Sequence, residues 1–328
     1  MIDVRTFLNT DPPKIAEIWS SQSPNRGLAQ PVTTSMLEQH VFAKPYFNPH
    51  SFFVAEEDHE VVGFVHAALP PNWPDDTTTP ESNTEQASHG TTGIVSILMA
   101  ANHGSGSEIL PLLLQKAETY LRTQGATQVC FGGTWPAGPF YFGLFGGCRN
   151  IGVRASDVQL IDFLTSQGYQ QGEQYAIYQR SLAGFRPGVS RELMLVRRKY
   201  TVAPMFDPPE SNWSESCLFV QQQRTRFDLQ EKSTSAVIAS STFVELDFFS
   251  SSWGVQACGL WDLCLPETEN AETLGFYLLG EAMRQLHESG AAWMEFCLHP
   301  SDVIGLQLAN RLEFDQADAA ITLSKTLV

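Results

Sequence analysis

Residues 106–131 read GSEILPLLLQKAETYLRTQGATQVCF, and residues 271–296 read AETLGFYLLGEAMRQLHESGAAWMEF. Laid over each other at an offset of 165 residues, they place Leu113, Leu114, Ala117, Leu121, Gly125, Ala126 and Phe131 on Leu278, Leu279, Ala282, Leu286, Gly290, Ala291 and Phe296. The apolar members follow the i, i+1, i+4, i+8 stripe of a helix that packs on a sheet. Each glycine falls where its helix should end, because a residue without Cβ enters left-handed backbone at little cost.

The flanks repeat too. In the first copy the pattern predicts a strand over 2–8, helices over 13–21 and 35–42, and strands over 51–56 and 60–69 joined by a hairpin turn at Asp58 and His59. A buried strand over 93–100, a helix over 107–123, a strand over 128–132, a helix over 156–166 and a final hairpin ending near Leu182 follow. In the second copy the corresponding spans are 227–230, 236–246, 257–265, 273–288, 293–298, 302–311 and 319–323. The expected class is mixed α/β, with one domain over 1–184, a linker and first strand region over 185–216, and a second domain over 217–328. Residues 70–91, rich in Pro, Thr, Asn and Ser, have too little apolar surface to offset their ordering entropy and are expected to be a mobile loop.

Composition narrows the function. Of 328 residues, 36 are acidic and 20 basic, a formal charge of −16 that repels polyphosphate backbones and anionic membranes, so neither nucleic acid nor membrane is an expected partner. The short basic run Arg197, Arg198 and Lys199 reads as the solvated face of a strand, or else as a patch for an anionic cofactor. Six cysteines, none at paired ligand spacing, read as buried thiols, and the eight histidines form no ligand pair, so no metal is expected. With no basic leader and no long apolar run, the expected location is the cytoplasm. Oligomeric state is left open.

The repeated unit resembles the GNAT superfamily of N-acetyltransferases, as a tandem pair. The resemblance rests on Ser96-Ile97-Leu98-Met99-Ala100 and Gly259-Leu260-Trp261-Asp262-Leu263-Cys264-Leu265, each leading into a long helix, and on the closing segments 163–169 and 308–314. It implies two domains, each a mixed, mostly antiparallel central sheet flanked by helices. It also implies acetyl-CoA as cosubstrate, its pyrophosphate on backbone N–H groups at the long helix's N-terminus and its pantetheine arm along the preceding strand. Carried onto the second copy, the cofactor set is Leu263, Cys264, Leu265, Asn270, Ala271, Glu272, Thr273, Leu274 and Gly275. The family turn is Gln or Arg, two residues, Gly, one residue, Gly or Ala; here it reads Asn-Ala-Glu-Thr-Leu-Gly, keeping only Gly275. The first copy, Ser105-Gly106-Ser107-Glu108-Ile109-Leu110, matches at no defining position. Glu272 and Glu108 fall where the pyrophosphate should lie, so acetyl-CoA binding is expected to be weak, and weaker in the first copy.

Transfer to an amine needs a group to take the amine proton. Asp262 and Glu245 are carboxylates set within apolar strand runs of the second copy and are the candidate catalytic bases, with exposed strand positions as the alternative reading. The family's thiolate-protonating Tyr is replaced by Leu164 and Ala309. Tyr141, in the Gly- and aromatic-rich loop of the first copy, is a candidate acceptor contact, and His66 and His103 are further possible bases. Two functions remain open: an N-acyltransferase acting on a small-molecule or peptide amine, its site in the C-terminal domain, or an inactive tandem pair that binds a small molecule or a protein.

Overall fold

Strand β4 (Thr91–Ala100) is buried along almost its whole length, which explains its unbroken apolar run: Ile97 and Met99 face one core and Val95, Leu98 and Ala100 the other. In the computed structural model, residues 2–71, 91–101, 106–133, 137–210, 212–220 and 222–327 are described. The expected mobile loop and His103 fall almost wholly outside them.

The N-terminal half contains β1 (Ile2–Thr6), helix α1 (Pro12–Ser20), the hairpin β2 (Phe52–Glu57) and β3 (Glu60–Ala68), then β4, helix α2 (Gly106–Thr123), β5 (Ala126–Phe131), the short β6 (Val153–Arg154), helix α3 (Val158–Ser166) and β7 (Gln170–Ser181). The C-terminal half contains helix α4 (Arg191–Lys199), β8 (Tyr200–Phe206), β9 (Arg224–Glu231), β10 (Val237–Glu245), β11 (Ala257–Cys264), helix α5 (Ala271–Glu288), β12 (Trp293–Leu298), helix α6 (Val303–Arg311) and β13 (Asp315–Thr326). Asp58 and His59 both have positive φ, as a two-residue hairpin requires. Gly125 and Gly290 close α2 and α5 in left-handed backbone, at φ +87° and +111°. The stripe quoted from the sequence is the buried face of each helix: Leu113, Leu114, Ala117 and Leu121 in one, Leu278, Leu279, Ala282 and Leu286 in the other.

All strands of the described residues join one sheet of 13, in the order β1-β2-β3-β4-β5-β13-β7-β12-β11-β10-β9-β8, with β6 alongside β13. The pairs β4–β5 and β11–β12 are parallel and the others antiparallel. The closing strands are exchanged between the halves. β13 pairs with β5 through Leu323↔Phe131, while β7 pairs with β12 through Trp293↔Ser181 to Leu298↔Ala176. The cores follow the exchange, since Leu323 and Leu327 pack in the N-terminal core and Tyr178 against the C-terminal one.

Two expectations are corrected. The segment ending near Leu182 is one long strand and not a hairpin, because its second partner comes from the far end of the chain. The basic run Arg197–Lys199 is the last turn of α4 and not a strand, a position where cations complement the helix dipole. No helix of the described residues is long and apolar enough to cross a membrane.

The exchange makes a specific demand. Leu323→Ala, a change in the last strand, should cost about 2–5 kcal/mol and lower hydrogen-exchange protection at Val129 and Phe131 in the N-terminal half. Protection lost only in the C-terminal half would contradict the pairing.

Candidate functional site

Each half carries a β-bulge on its central strand. On β4 the register to β3 slips between His66↔Ile97 and Ala67↔Val95, so Ser96 is the extra residue. On β11 the register to β10 slips between Thr242↔Asp262 and Phe243↔Leu260, so Trp261 is the extra residue. Ser96 and Trp261 stand 165 residues apart, the offset of the helix repeat. Parallel pairing ends at the bulge in both halves, running only through Val95↔Phe131 in one and Gly259↔Glu295 in the other. A bulge bends its strand and ends the ladder, so each half has a V between its parallel strands with one backbone edge free of a strand partner among the described residues.

The N-terminal V opens into a cleft of about 990 Å³. Ile97 to Ala101 form one wall, Phe131 and Phe145 the base, and the start of α3 (Asp157, Val158, Leu160, Phe163) the other wall. The loop over 22–28 borders it, and Gln22 Nε2 donates to the Ala100 carbonyl at 2.9 Å. Asp157 caps α3 by accepting from Leu160 N–H and also accepts from Asn25 Nδ2. Burial raises the Asp157 pKa above the usual carboxylate value, although the two hydrogen bonds oppose that. Arg26 and Asp318 add one charge of each sign.

The C-terminal V is occupied by the loop of the other half. Cys148 lies so near Gly259 that a Cβ there would collide with it, and the Cys148 N–H donates to Glu295 Oε1 at 2.8 Å. Arg149 Nη2 donates to the carbonyl of the bulge residue Trp261, and its guanidinium sits 3.9 Å from the centre of the Trp261 ring. A smaller cavity of about 310 Å³ remains, lined by Arg149, Trp261, Phe142 and others. At the start of α5, Glu272 is paired with Arg311 at 2.7 Å, Thr273 Oγ1 donates to Glu192 of α4, and Leu265 packs over Gly275.

No protein-family model and no curated protein matches the sequence. Solved structures do. A tandem GNAT protein from the clavulanic acid biosynthesis pathway, solved without acetyl-CoA, aligns over 100% of this chain and 99% of its own at 12% identity and a TM-score of 0.66. The fold is a tandem GNAT fold. A GCN5-related glucosamine N-acetyltransferase region of a fungal multi-domain GH3 β-N-acetylglucosaminidase aligns over 99% of this chain and 38% of that longer one, at 15% identity and TM-score 0.67. A GCN5-related N-acetyltransferase from Sphaerobacter thermophilus aligns over 99% and 96%, at 10% and 0.61.

Within this tandem GNAT frame the residues singled out from the sequence are dispersed. Asp262 is exposed opposite Thr242, and Glu245 is half-buried opposite Cys258, so the ladder holds them on separate rungs. Burial, then the charges of Asp247 and Asp207, raises the Glu245 pKa. Leu263, Cys264, Leu265 and Asn270 are partly or fully exposed, whereas Ala271, Thr273, Leu274 and Gly275 are buried in the packing of α5. Leu164 and Ala309, where the family places its Tyr, are fully buried. Tyr141 lies in the core at 1% exposure, in left-handed backbone, its hydroxyl 3.1 Å from His66 Nδ1 and its ring beside Trp19. Sequence reading passed over Gln22, Asp157 and Arg149, which sit in loops or at a helix cap and carry no period; the Asp157-x-x-Leu160 cap was the one local signal.

His66 is buried with Nε2 unpartnered among the described residues, and burial lowers its pKa from 6.5 to about 3. His40 is lowered to about 4 by burial and then by Lys44. Unfolded, both bind a proton near 6.5, while the folded protein keeps them neutral, so the unfolded state gains protons first as pH falls. Stability should therefore decline as pH drops from about 6.5 toward 4. Urea unfolding across that range should show the decline, and His66→Gln should flatten it; an unchanged slope in the variant would contradict this assignment.

Proposed function

We propose that the protein is an acyl-CoA-dependent N-acyltransferase that moves an acetyl group from acetyl-CoA to an amine, with its acyl cleft in the N-terminal half. The observation that carries this reading is the β4 edge on the β5 side beyond Ser96, which has no strand partner among the described residues and lines an open cleft. An extended arm containing amides pairs with such an edge as an added strand would, which suits pantetheine at Ile97 to Met99. Gln22 already holds the Ala100 carbonyl, so the arm's last contact falls short of it. When bound, acetyl-CoA supplies the activated thioester.

The chain's own residues provide the rest. Asp157 and Asp318 place negative charge at the end of the cleft, suited to a cationic amine. Asp157, with its raised pKa, accepts the amine proton directly or through a water as the C–N bond forms and the C–S bond breaks, and the CoA thiolate leaves and takes a proton from water. The apolar wall of Leu98, Leu160 and Phe163 keeps the acyl group from bulk water. Asp262 and Glu245 have no part in transfer in this reading, because Arg149 holds the Trp261 carbonyl at the corresponding bulge of the other half. A second reading, a binding module without catalysis, is favoured by the start of α5, where Thr273 is bonded to Glu192 and Glu272 is paired with Arg311.

Calorimetric titration with acetyl-CoA separates them. Binding should be measurable, about tenfold or more weaker in Val158→Trp, whose exposed position lets the ring fill the cleft without disturbing the core, and unchanged in Arg149→Met. Asp157→Asn should keep binding and lose most turnover in an amine screen. No heat at millimolar acetyl-CoA would overturn the acyltransferase reading.

A further inference from the structure

The 310 Å³ cavity in the C-terminal V has the guanidinium of Arg149 in its wall, with no ion-pair partner among the described residues. Arg149 makes its hydrogen bond to the Trp261 carbonyl and stacks on the Trp261 ring, and no carboxylate of the described residues comes within 4.0 Å of it. Several other arginines of this acidic chain are paired with carboxylates, among them the buried Arg154 with Glu295 and Arg224 with Glu210. The charge of Asp262 reaches Arg149 weakly, and desolvation outweighs it, lowering the Arg149 pKa. A guanidinium has five donors in a planar fork, of which the Trp261 carbonyl takes one.

The remaining wall is apolar and aromatic. Phe142, Leu218 and Trp261 form it, with ring centres of Phe142 and Trp261 at 5.1 Å. Cys297 is neutral, its thiol pushed up to about 12 by burial. Tyr175 and His299 stand in edge contact on the remaining side, where Glu173 holds both. Asn150, 7% exposed, borders the cavity and donates from Nδ2 to the Phe140 carbonyl.

We propose that this cavity binds a small organic carboxylate with an apolar body, the carboxylate forked on Arg149 and the body against Phe142 and Trp261. The bidentate geometry neutralises a half-buried cation that is otherwise costly to hold. The volume is at the small end of ligand pockets, which excludes a whole coenzyme. The site is separate from the N-terminal cleft and does not depend on the acyltransferase reading.

The probe is phenylacetate, with phenylacetamide as its neutral isostere, titrated calorimetrically into the full chain while tryptophan fluorescence is followed. Phenylacetate should bind and perturb the fluorescence, and phenylacetamide should bind at least about tenfold more weakly. Arg149→Met, which keeps the stem on Trp261, should lose the preference, and Arg149→Lys should keep part of it. The comparison of the two probes on the unaltered protein needs no variant to fold. No binding of phenylacetate, equal binding of the two probes, or loss of phenylacetate binding in Val158→Trp would each overturn the proposal.

Discussion

The carboxylate of Glu295 is the constraint on which the junction of the two halves rests. It is 1% exposed, and every group that holds it comes from the N-terminal half: Cys148 N–H at 2.8 Å, Gln179 Nε2 at 2.7 Å and Arg154 at 3.4 Å. A buried carboxylate without such partners costs several kcal/mol, so β12, β7 and the loop over 146–149 form one unit or none of them is stable. Gln179 also accepts from Arg26, which carries the connection to the rim of the N-terminal cleft. The cleft and the occupied V are thus positioned by one polar network.

That network explains the asymmetry between two copies of one unit. Both have the bulge, the parallel pair and the glycine-closed helix. The loop that follows β5 borders the N-terminal cleft through Phe145 but fills the C-terminal V, where it places Cys148 against Gly259 and Arg149 on Trp261. At the N-terminal V the equivalent space is left as a cleft with the strand edge accessible. One Arg side chain separates an edge available for pairing from one already taken.

The frame was legible because it is periodic. The Leu113 to Leu121 stripe and its copy, with Gly125 and Gly290 behind them, give helix, turn and strand by local rules, and the hairpin at Asp58 and His59 follows from turn chemistry. The exchange of β7 and β13 was not legible, since both are strands of similar pattern and nothing local distinguishes which of two parallel pairs each will join. Arg149 and Asp157 were missed for a related reason: their roles come from contacts with residues more than a hundred positions away, Trp261 and Asn25. Asp262 and Glu245 show the converse, carboxylates whose apolar sequence neighbours belong to the opposite face of a strand.

The exchanged strands also set an order of events during synthesis. Domains of a nascent chain ordinarily fold as they emerge, first one and then the next. Here β5, finished at Phe131 and flanked by β4 on one side, gains its second neighbour only when β13 has been made, ending at Thr326, and β7 waits first for β12 and then for β13. The N-terminal half therefore reaches the ribosome exit with an open sheet edge and cannot complete itself in sequence order. The protein behaves in folding as a single late-closing body, although its sequence repeats as two.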